Sequence, residues 1–138
     1  MPKPHGIPLQ ERIVGKMLVY RWCRKNPPEQ TLSLVREQTV EMQRLATAAG
    51  PRATERVTIR RMPGLEHSST SYSIAMVIEH VAIVNRDIAS LLATLVAGKP
   101  WDRVVSTADY KPQGLMAVSH ALDRLGEANT DLERILSD

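Results

Sequence analysis

The spacing of apolar residues constrains the fold of this chain most. They recur every three or four positions along four segments that proline or glycine separates. An α-helix turns through about 100° per residue, so this spacing gathers the apolar side chains on one face. It predicts helices over residues 9–25, 28–49, 73–97 and 113–137. The clearest stripe, in the third segment, consists of Ile74, Val77, Ile78, Val81, Val84, Ile88, Leu91, Leu92 and Leu95.

Breakers and capping residues set the predicted helix ends. Asn26 is expected to cap the second helix, with Pro27 at its first position, and Gly50 followed by proline is expected to end it. Serines at 71 and 73 are capping candidates for the third helix. The fourth is expected to open after Pro112, and its apolar stripe consists of Leu115, Val118, Leu122, Leu125, Ala128, Leu132 and Ile135.

Residues 51–70 lack a helical period. Val57 and Ile59 alternate with polar neighbours as in a short strand, but no second strand is evident to pair with it, so a loop is expected. Four amphipathic helices without paired strands predict an all-α fold, a four-helix bundle with up-down helices. The 138 residues suit one domain, in which a basic helix (1–25) precedes the region 26–138.

Charge and composition exclude several classes of protein. Residues 1–25 hold six basic residues and one acidic residue, a net +5, while residues 26–138 hold twelve basic and fourteen acidic residues, a net −2. A basic surface suits either an anionic partner or simple solvation, and no nucleic-acid motif is present, so no nucleic-acid partner is expected. No apolar run approaches the ~18 residues of a membrane span. The single cysteine and the absence of a signal-peptide pattern predict a cytoplasmic protein.

His80 is the strongest candidate for a chemical role. By helical phase it borders the apolar stripe of the third helix, with Asp87 two turns further on, while Glu79 and Arg86 are expected on the outward face. An imidazole in that position either binds a metal, acts as a base, or bonds to a neighbouring group. His120 is expected on the surface.

The remaining candidates carry weaker signals. His67 falls in the predicted loop and His5 in the N-terminal tail. Cys23 lies among basic residues that favour a thiolate nucleophile, but a lone helical cysteine is also commonly just packed. None of the histidines or the cysteine falls in a known metal-binding motif.

Residues 59–100 read IRRMPGLEHSSTSYSIAMVIEHVAIVNRDIASLLATLVAGKP, with the distinctive piece IEHVAIVN at 78–85. This segment resembles the DinB-like (DinB/YfiT-like) metalloenzyme superfamily, and IEHVAIVN is the most specific part of the match. The string STADYKP at 106–112 also fits, and the resemblance covers about residues 26–138. It implies a four-helix bundle, often dimeric, in a family that includes metal-dependent thiol-S-transferases and isomerases.

The resemblance also implies a metal site that this sequence fills only in part. Family members bind a divalent metal, such as zinc or nickel, through three histidines, and His80 matches the first. The other two lie on a last helix that has no counterpart here. The expectation is therefore a DinB-like bundle, incomplete at its C-terminus, of unassigned activity and not a competent metalloenzyme.

Two alternatives remain open at this point. One is a metal-dependent thiol-S-transferase or hydrolase, acting on a small thiol or other small molecule, whose site another subunit completes. The other is a non-catalytic interaction module that uses the basic first helix. The apolar stripe of the fourth helix lacks a closing partner, and since monomers rarely expose large apolar patches, a homodimer is expected.

Overall fold

A computed structural model describes residues 9–60 and 70–137. Its helices are α1 (Leu9–Lys25), α2 (Pro28–Ala49), α3 (Ile74–Val96) and α4 (Val118–Ser137). The only sheet in the described ranges is a pair of two-residue strands, β1 (Val57–Thr58) and β2 (Ser71–Tyr72). The all-α expectation is confirmed in this coarse form. The expectations for His5 and His67 fall outside the described residues, as does the whole of the string PGLEHSS at 63–69.

The prediction of a loop over residues 51–70 was wrong in part. A short 3-10 helix (Gly50–Thr54) follows α2, and β1 then pairs antiparallel with β2, Val57 facing Tyr72. The Ile59 backbone N–H extends the pairing by donating to the Thr70 carbonyl at 2.8 Å. A two-residue strand is too short to show a period of two, and serines 71 and 73 suggested a helix start instead.

The predicted ends of α1 and α2 are confirmed, and those of α3 differ by one residue at each end. The assigned cap of α2 was wrong by one residue, because Pro27 is the N-cap and Pro28 opens the helix. Asn26 instead closes α1, its side-chain Nδ2 donating to the Trp22 carbonyl at 2.7 Å. Ser73 caps α3 as expected, since its Oγ accepts the Met76 backbone N–H.

The predicted start of α4 was five residues too early. The backbone N–H groups of Gln113 and Gly114 bind the Glu79 carboxylate, and Gly114 has φ +72°, which a helix does not allow. The positive φ favours glycine at position 114, and a Cβ there would also press on the Met76 side chain, with Sδ at 3.0 Å. Leu115, expected on the apolar stripe of α4, consequently lies exposed outside the helix.

The core forms mainly where α3 meets α4, and its residues are small. Alanines recur every seven positions on α3 and face an alanine and leucine stripe on α4. Small side chains let two helices approach closely along one line. The buried core cluster consists of Ile78 and Ala82 on α3, Ala121 and Leu125 on α4, and Ala46 on α2.

The helices do not alternate up and down as predicted, because α3 and α4 run parallel. Ile78 and Ala82 share the core cluster with Ala121 and Leu125, and further along both helices Asn85 Nδ2 donates to Asn129 Oδ1 at 2.7 Å. Both contacts advance in the same direction along the chain. The prediction failed because stripe periodicity reports which face is apolar and carries no information on helix direction.

The long connection before α4 and the contacts of α2 complete this topology. Parallel neighbours need a long connection, and residues 97–117, here called the crossover segment, run back along α3 to supply it. Helix α2 is antiparallel to α4, since Arg36 pairs with Glu133 at 2.7 Å while Thr39 Oγ1 accepts from Asn129 Nδ2 at 2.8 Å. The buried Asn129 thus forms hydrogen bonds with both Thr39 and Asn85, and this chain of bonds joins α2, α3 and α4.

Part of the stripe predicted to be core on α3 lies at the surface. Val77, Ile88 and Leu95 are 44%, 42% and 52% exposed, whereas Glu79, expected to point outward, is only 5% exposed. Of the larger apolar side chains of α3, Ile78 is buried against α4, whereas these three are not. Helix α1 is more extreme, since none of residues 9–25 is buried. None of the described helices has the length and apolar content to cross a membrane.

Candidate functional site

Three of the polar residues of α3 singled out from the sequence, Glu79, His80 and Asp87, hold the crossover segment. Glu79 binds its C-terminal end, because Oε1 accepts the Gln113 backbone N–H and Oε2 accepts that of Gly114, each at 3.2 Å. The expectation that Glu79 points outward was wrong for this reason: a buried carboxylate is tolerated where donors satisfy its oxygens. This contact fixes where the chain stands before α4 begins.

His80 holds the crossover segment one residue further along α3. It is half-buried, and its Nδ1 lies 2.6 Å from the Tyr110 carbonyl oxygen. A carbonyl oxygen only accepts, so Nδ1 carries the proton and donates. In the neutral ring the lone pair then lies on Nε2. Proteins often orient metal-binding histidines through such a bond to a backbone carbonyl, but the same bond also serves purely to fix a segment.

Asp87 lies near His80 on α3 and binds the same crossover residue. One of its oxygens accepts the Tyr110 hydroxyl at 2.6 Å, and the other pairs with Arg103. His80 and Asp87 are therefore linked through Tyr110, the first at its carbonyl and the second at its hydroxyl. The hydrogen bond to Asp87 raises the pKa of Tyr110 above its usual 10.0, and burial adds to this effect.

A short 3-10 helix, Thr107–Tyr110, presents Tyr110 to both partners. Ser106 Oγ accepts the Ala108 backbone N–H at 3.2 Å, and the Asp109 carboxylate accepts the Ser106 backbone N–H at 2.9 Å. This reciprocal capping box makes the turn rigid. The sequence contains the signal for this capping box, since Ser106 stands three residues before Asp109. The signal predicts a helical turn at this position, but it does not indicate that Tyr110 contacts α3.

A pocket of about 250 Å³ lies between α3 and α4, beside these anchors. Arg124 of α4 lies half-buried there and forms no ion pair with any described residue, and Arg86 makes only a long contact of 3.4 Å to Glu127. Two guanidinium groups over an apolar floor suit a small anionic molecule. Sequence reasoning missed Arg124, because its place in the pocket depends on the parallel packing. The lining residues are Glu79, Ala82, Ile83, Arg86, Asp87 and Arg124.

The described residues do not fit the three-ligand metal site that the family resemblance implies. Within 9–60 and 70–137, no three His, Cys, Asp or Glu side chains are grouped so that they could hold a metal ion. The described part of the chain thus gives His80 no pair of companion ligands, and both Asp87 oxygens are occupied by Tyr110 and Arg103. His120 is exposed on α4, as predicted. Cys23 is exposed on α1, so the interpretation of a packed cysteine was wrong.

Comparison of the chain with protein-family models, with curated proteins and with solved structures finds no match. The resemblance to the DinB-like superfamily therefore stays a prediction.

The Asp87–Tyr110 contact gives a prediction for alkaline pH. The raised pKa of Tyr110 favours the folded protein while the phenol is neutral, so this stabilisation is complete below about pH 10 and is lost as the pH rises through the folded-state pKa. Asp87→Asn should bring the titration of Tyr110 back toward its ordinary range. The ultraviolet absorbance of the phenolate, with Tyr110→Phe subtracted to remove Tyr20 and Tyr72, measures this midpoint. An unchanged midpoint in Asp87→Asn would show that the hydrogen bond does not form.

The His80 contact gives a second prediction. His80→Ala should lower the free energy of unfolding by about 0.5–1.5 kcal/mol, the usual contribution of one hydrogen bond. Urea denaturation measures the loss, and His80→Gln, which keeps a side-chain donor, should recover part of it. Equal losses in both variants would indicate that ring packing, not the bond to Tyr110, matters at this position.

Proposed function

We propose that this protein is a DinB-like helical bundle that acts as a non-catalytic interaction module, with α1 as its binding element. The observation that carries the proposal is that all of residues 9–25 lie at the surface, apolar side chains included. Leu9, Ile13, Met17 and Tyr20 are each at least 60% exposed. Large contiguous apolar patches on a monomer commonly mark interaction sites.

The length and charge of α1 support the same role. A helix of 17 residues without packing is only marginally stable in water, so a partner that covers it would also stabilise it. Five basic residues and one acidic residue give α1 a net charge of +4. This charge speeds the encounter of α1 with a negatively charged partner. The binding surface of α1 is thus both apolar and basic.

The anchoring contacts of α3 support a structural role for its polar residues. Glu79, His80 and Asp87 each bind the crossover segment, so their positions on α3 have a sufficient explanation in the fold. A crossover without regular secondary structure over most of its length needs such anchors, because its backbone groups are not paired in a helix or sheet.

Amide hydrogen exchange tests the role of α1. Exchange of residues 9–25 should slow when the protein is concentrated or when anionic phospholipid vesicles are added, because either partner would cover the helix. Ile13→Asp with Met17→Asp should abolish this protection. Val40→Asp, which alters an equally exposed apolar residue on α2, is the matched control and should leave it unchanged. Fast exchange of α1 under all these conditions would contradict the proposal.

One observation keeps the metal-dependent alternative open to experiment. His80 Nε2 carries a lone pair in the neutral ring. This nitrogen would bind the metal if another subunit supplied the remaining ligands. If the protein is a non-catalytic interaction module, the purified protein should hold no stoichiometric zinc or nickel. The substitution His80→Ala should then leave its metal content unchanged. Elemental analysis that finds about one metal per chain, lost in His80→Ala, would favour the thiol-transferase or hydrolase alternative.

A further inference from the structure

Helix α3 is apolar on two faces. The fold buries the first, while the second contributes only Val81 to the edge of the described core cluster. The packed face carries the alanines that meet α4. The second face carries larger residues at successive spacings of four, three, four, three and four, here called the α3 seam, which consists of Val77, Val81, Val84, Ile88, Leu91 and Leu95. This alternation is the a/d repeat with which one helix packs against another.

The α3 seam has the properties of a helix-packing surface without its partner helix. Three of its residues, Val77, Ile88 and Leu95, are 44%, 42% and 52% exposed, and the other three are half-buried. It contains no charged residue over a length of about 27 Å at 1.5 Å per residue. A helix that is apolar on most sides is normally covered on most sides. The partner that fits the α3 seam is therefore another helix about five turns long.

Helix α1 of a second copy matches this description. Its 17 residues span about 25 Å, close to the length of the seam. Its apolar residues Ile13, Met17 and Tyr20 repeat at four and three, the same alternation as the seam. The net charge of +5 over residues 1–25, here called the arm, also complements the net charge of −2 over residues 26–138. The arm of one copy is therefore attracted to residues 26–138 of another.

The junction between α1 and α2 favours a second copy over the same chain. Only Asn26 and Pro27 separate the helices, and Asn26 is fixed by two bonds to the Trp22 carbonyl, from its backbone N–H and its side chain. In this arrangement α1 buries none of its residues against the described parts of its own chain. A projecting arm of this kind is the element that exchanges between protomers in swapped dimers.

We propose that two copies form a symmetric dimer by exchanging arms, with α1 of each copy packed along the α3 seam of the other. This inference rests on the proposed role of α1 as a binding element and names its partner. Each α1 then supplies the fourth helix that the α2, α3 and α4 assembly lacks. The dimer would cover the apolar surface of both elements at once.

Disulfide trapping between two different variants tests the exchange directly. Cys23 is the only cysteine and lies exposed near the end of α1. Cys23→Ser combined with either Val77→Cys or Leu95→Cys places a thiol at one end of the seam and leaves none on the arm. Wild type mixed with one of these two variants should form a covalent heterodimer under mild oxidation. Cys23→Ser with Ser90→Cys, exposed on another face of α3, is the control and should not.

The self-association constant gives an independent measurement. Sedimentation equilibrium should show a wild-type dimer, and Ile13→Asp with Met17→Asp should raise its dissociation constant at least 100-fold. Ile88→Asp with Leu95→Asp on the seam should do the same, while Val40→Asp on α2 should not. Both altered pairs are exposed, so the fold should survive, and circular dichroism checks this.

The contrary outcomes separate the two proposals. A wild-type protein that stays monomeric at high concentration overturns the arm exchange but leaves α1 free to bind another molecule. A dimer that the α1 variants leave intact overturns both the exchange and the binding role of α1. Seam cysteines that link only to each other, and never to Cys23, would show that two α3 seams pair directly and would overturn the exchange.

Discussion

Glu79→Ala should lower the free energy of unfolding by about 3 kcal/mol. The substitution removes a buried carboxylate that accepts two backbone N–H groups, from Gln113 and Gly114. Hydrogen bonds to a charged group contribute a net of about 1.5–3 kcal/mol each, and both contacts here are long, so the low end of this range applies. It also frees the end of the crossover segment that directs the chain into α4. Urea denaturation, with the wild type and the variant at the same protein concentration, measures the change.

A second substitution separates the hydrogen bonds from the space that Glu79 fills. Glu79→Gln keeps the shape and one acceptor oxygen, so it should lose roughly half as much stability as Glu79→Ala. Amide exchange at residues 113 and 114 should accelerate in both variants, and more in the alanine variant. Unchanged exchange at these two amides would show that Glu79 does not hold the crossover segment, whatever the loss in global stability.

The helices were predictable because their signals are local. Apolar spacing and the Pro and Gly breakers act within a few residues, and they located α1 and α2 to the residue. The start of α4 was not predictable in this way. It depends on Gln113 and Gly114 being bound by Glu79, a residue 34 or more positions away in sequence. No local pattern reports such a contact.

The candidate site was predictable in part for the same reason. Helical phase alone placed His80 and Asp87 two turns apart on the same border of the α3 stripe, and the structure joins them through Tyr110. Tyr110 itself lies on a connection whose return path along α3 follows from the parallel packing of α3 and α4. The pocket residue Arg124 depends on the same packing. The sequence shows that each residue is polar, but not which other element it meets.

The sequence predicts one apolar stripe on α3, whereas the structure divides it between a buried and a partly exposed face, and a matched pair of substitutions tests this division. Ile78 is fully buried against α4, whereas Ile88 on the α3 seam is 42% exposed. Ile78→Ala removes the same atoms as Ile88→Ala from the same helix. Because a buried isoleucine leaves a cavity when it is truncated, Ile78→Ala should cost about 2–5 kcal/mol.

Ile88→Ala should cost under about 1 kcal/mol in dilute protein, because its side chain already meets water and truncation there creates no enclosed cavity. Urea denaturation well below the dimer dissociation constant gives both values for the separated chains. At high concentration the cost of Ile88→Ala should rise, since the seam is then covered by the arm of a second copy. Equal losses for the two variants in dilute protein would mean that the seam is already packed within one chain. The exposed face of α3, and the dimer inferred from it, would then both be wrong.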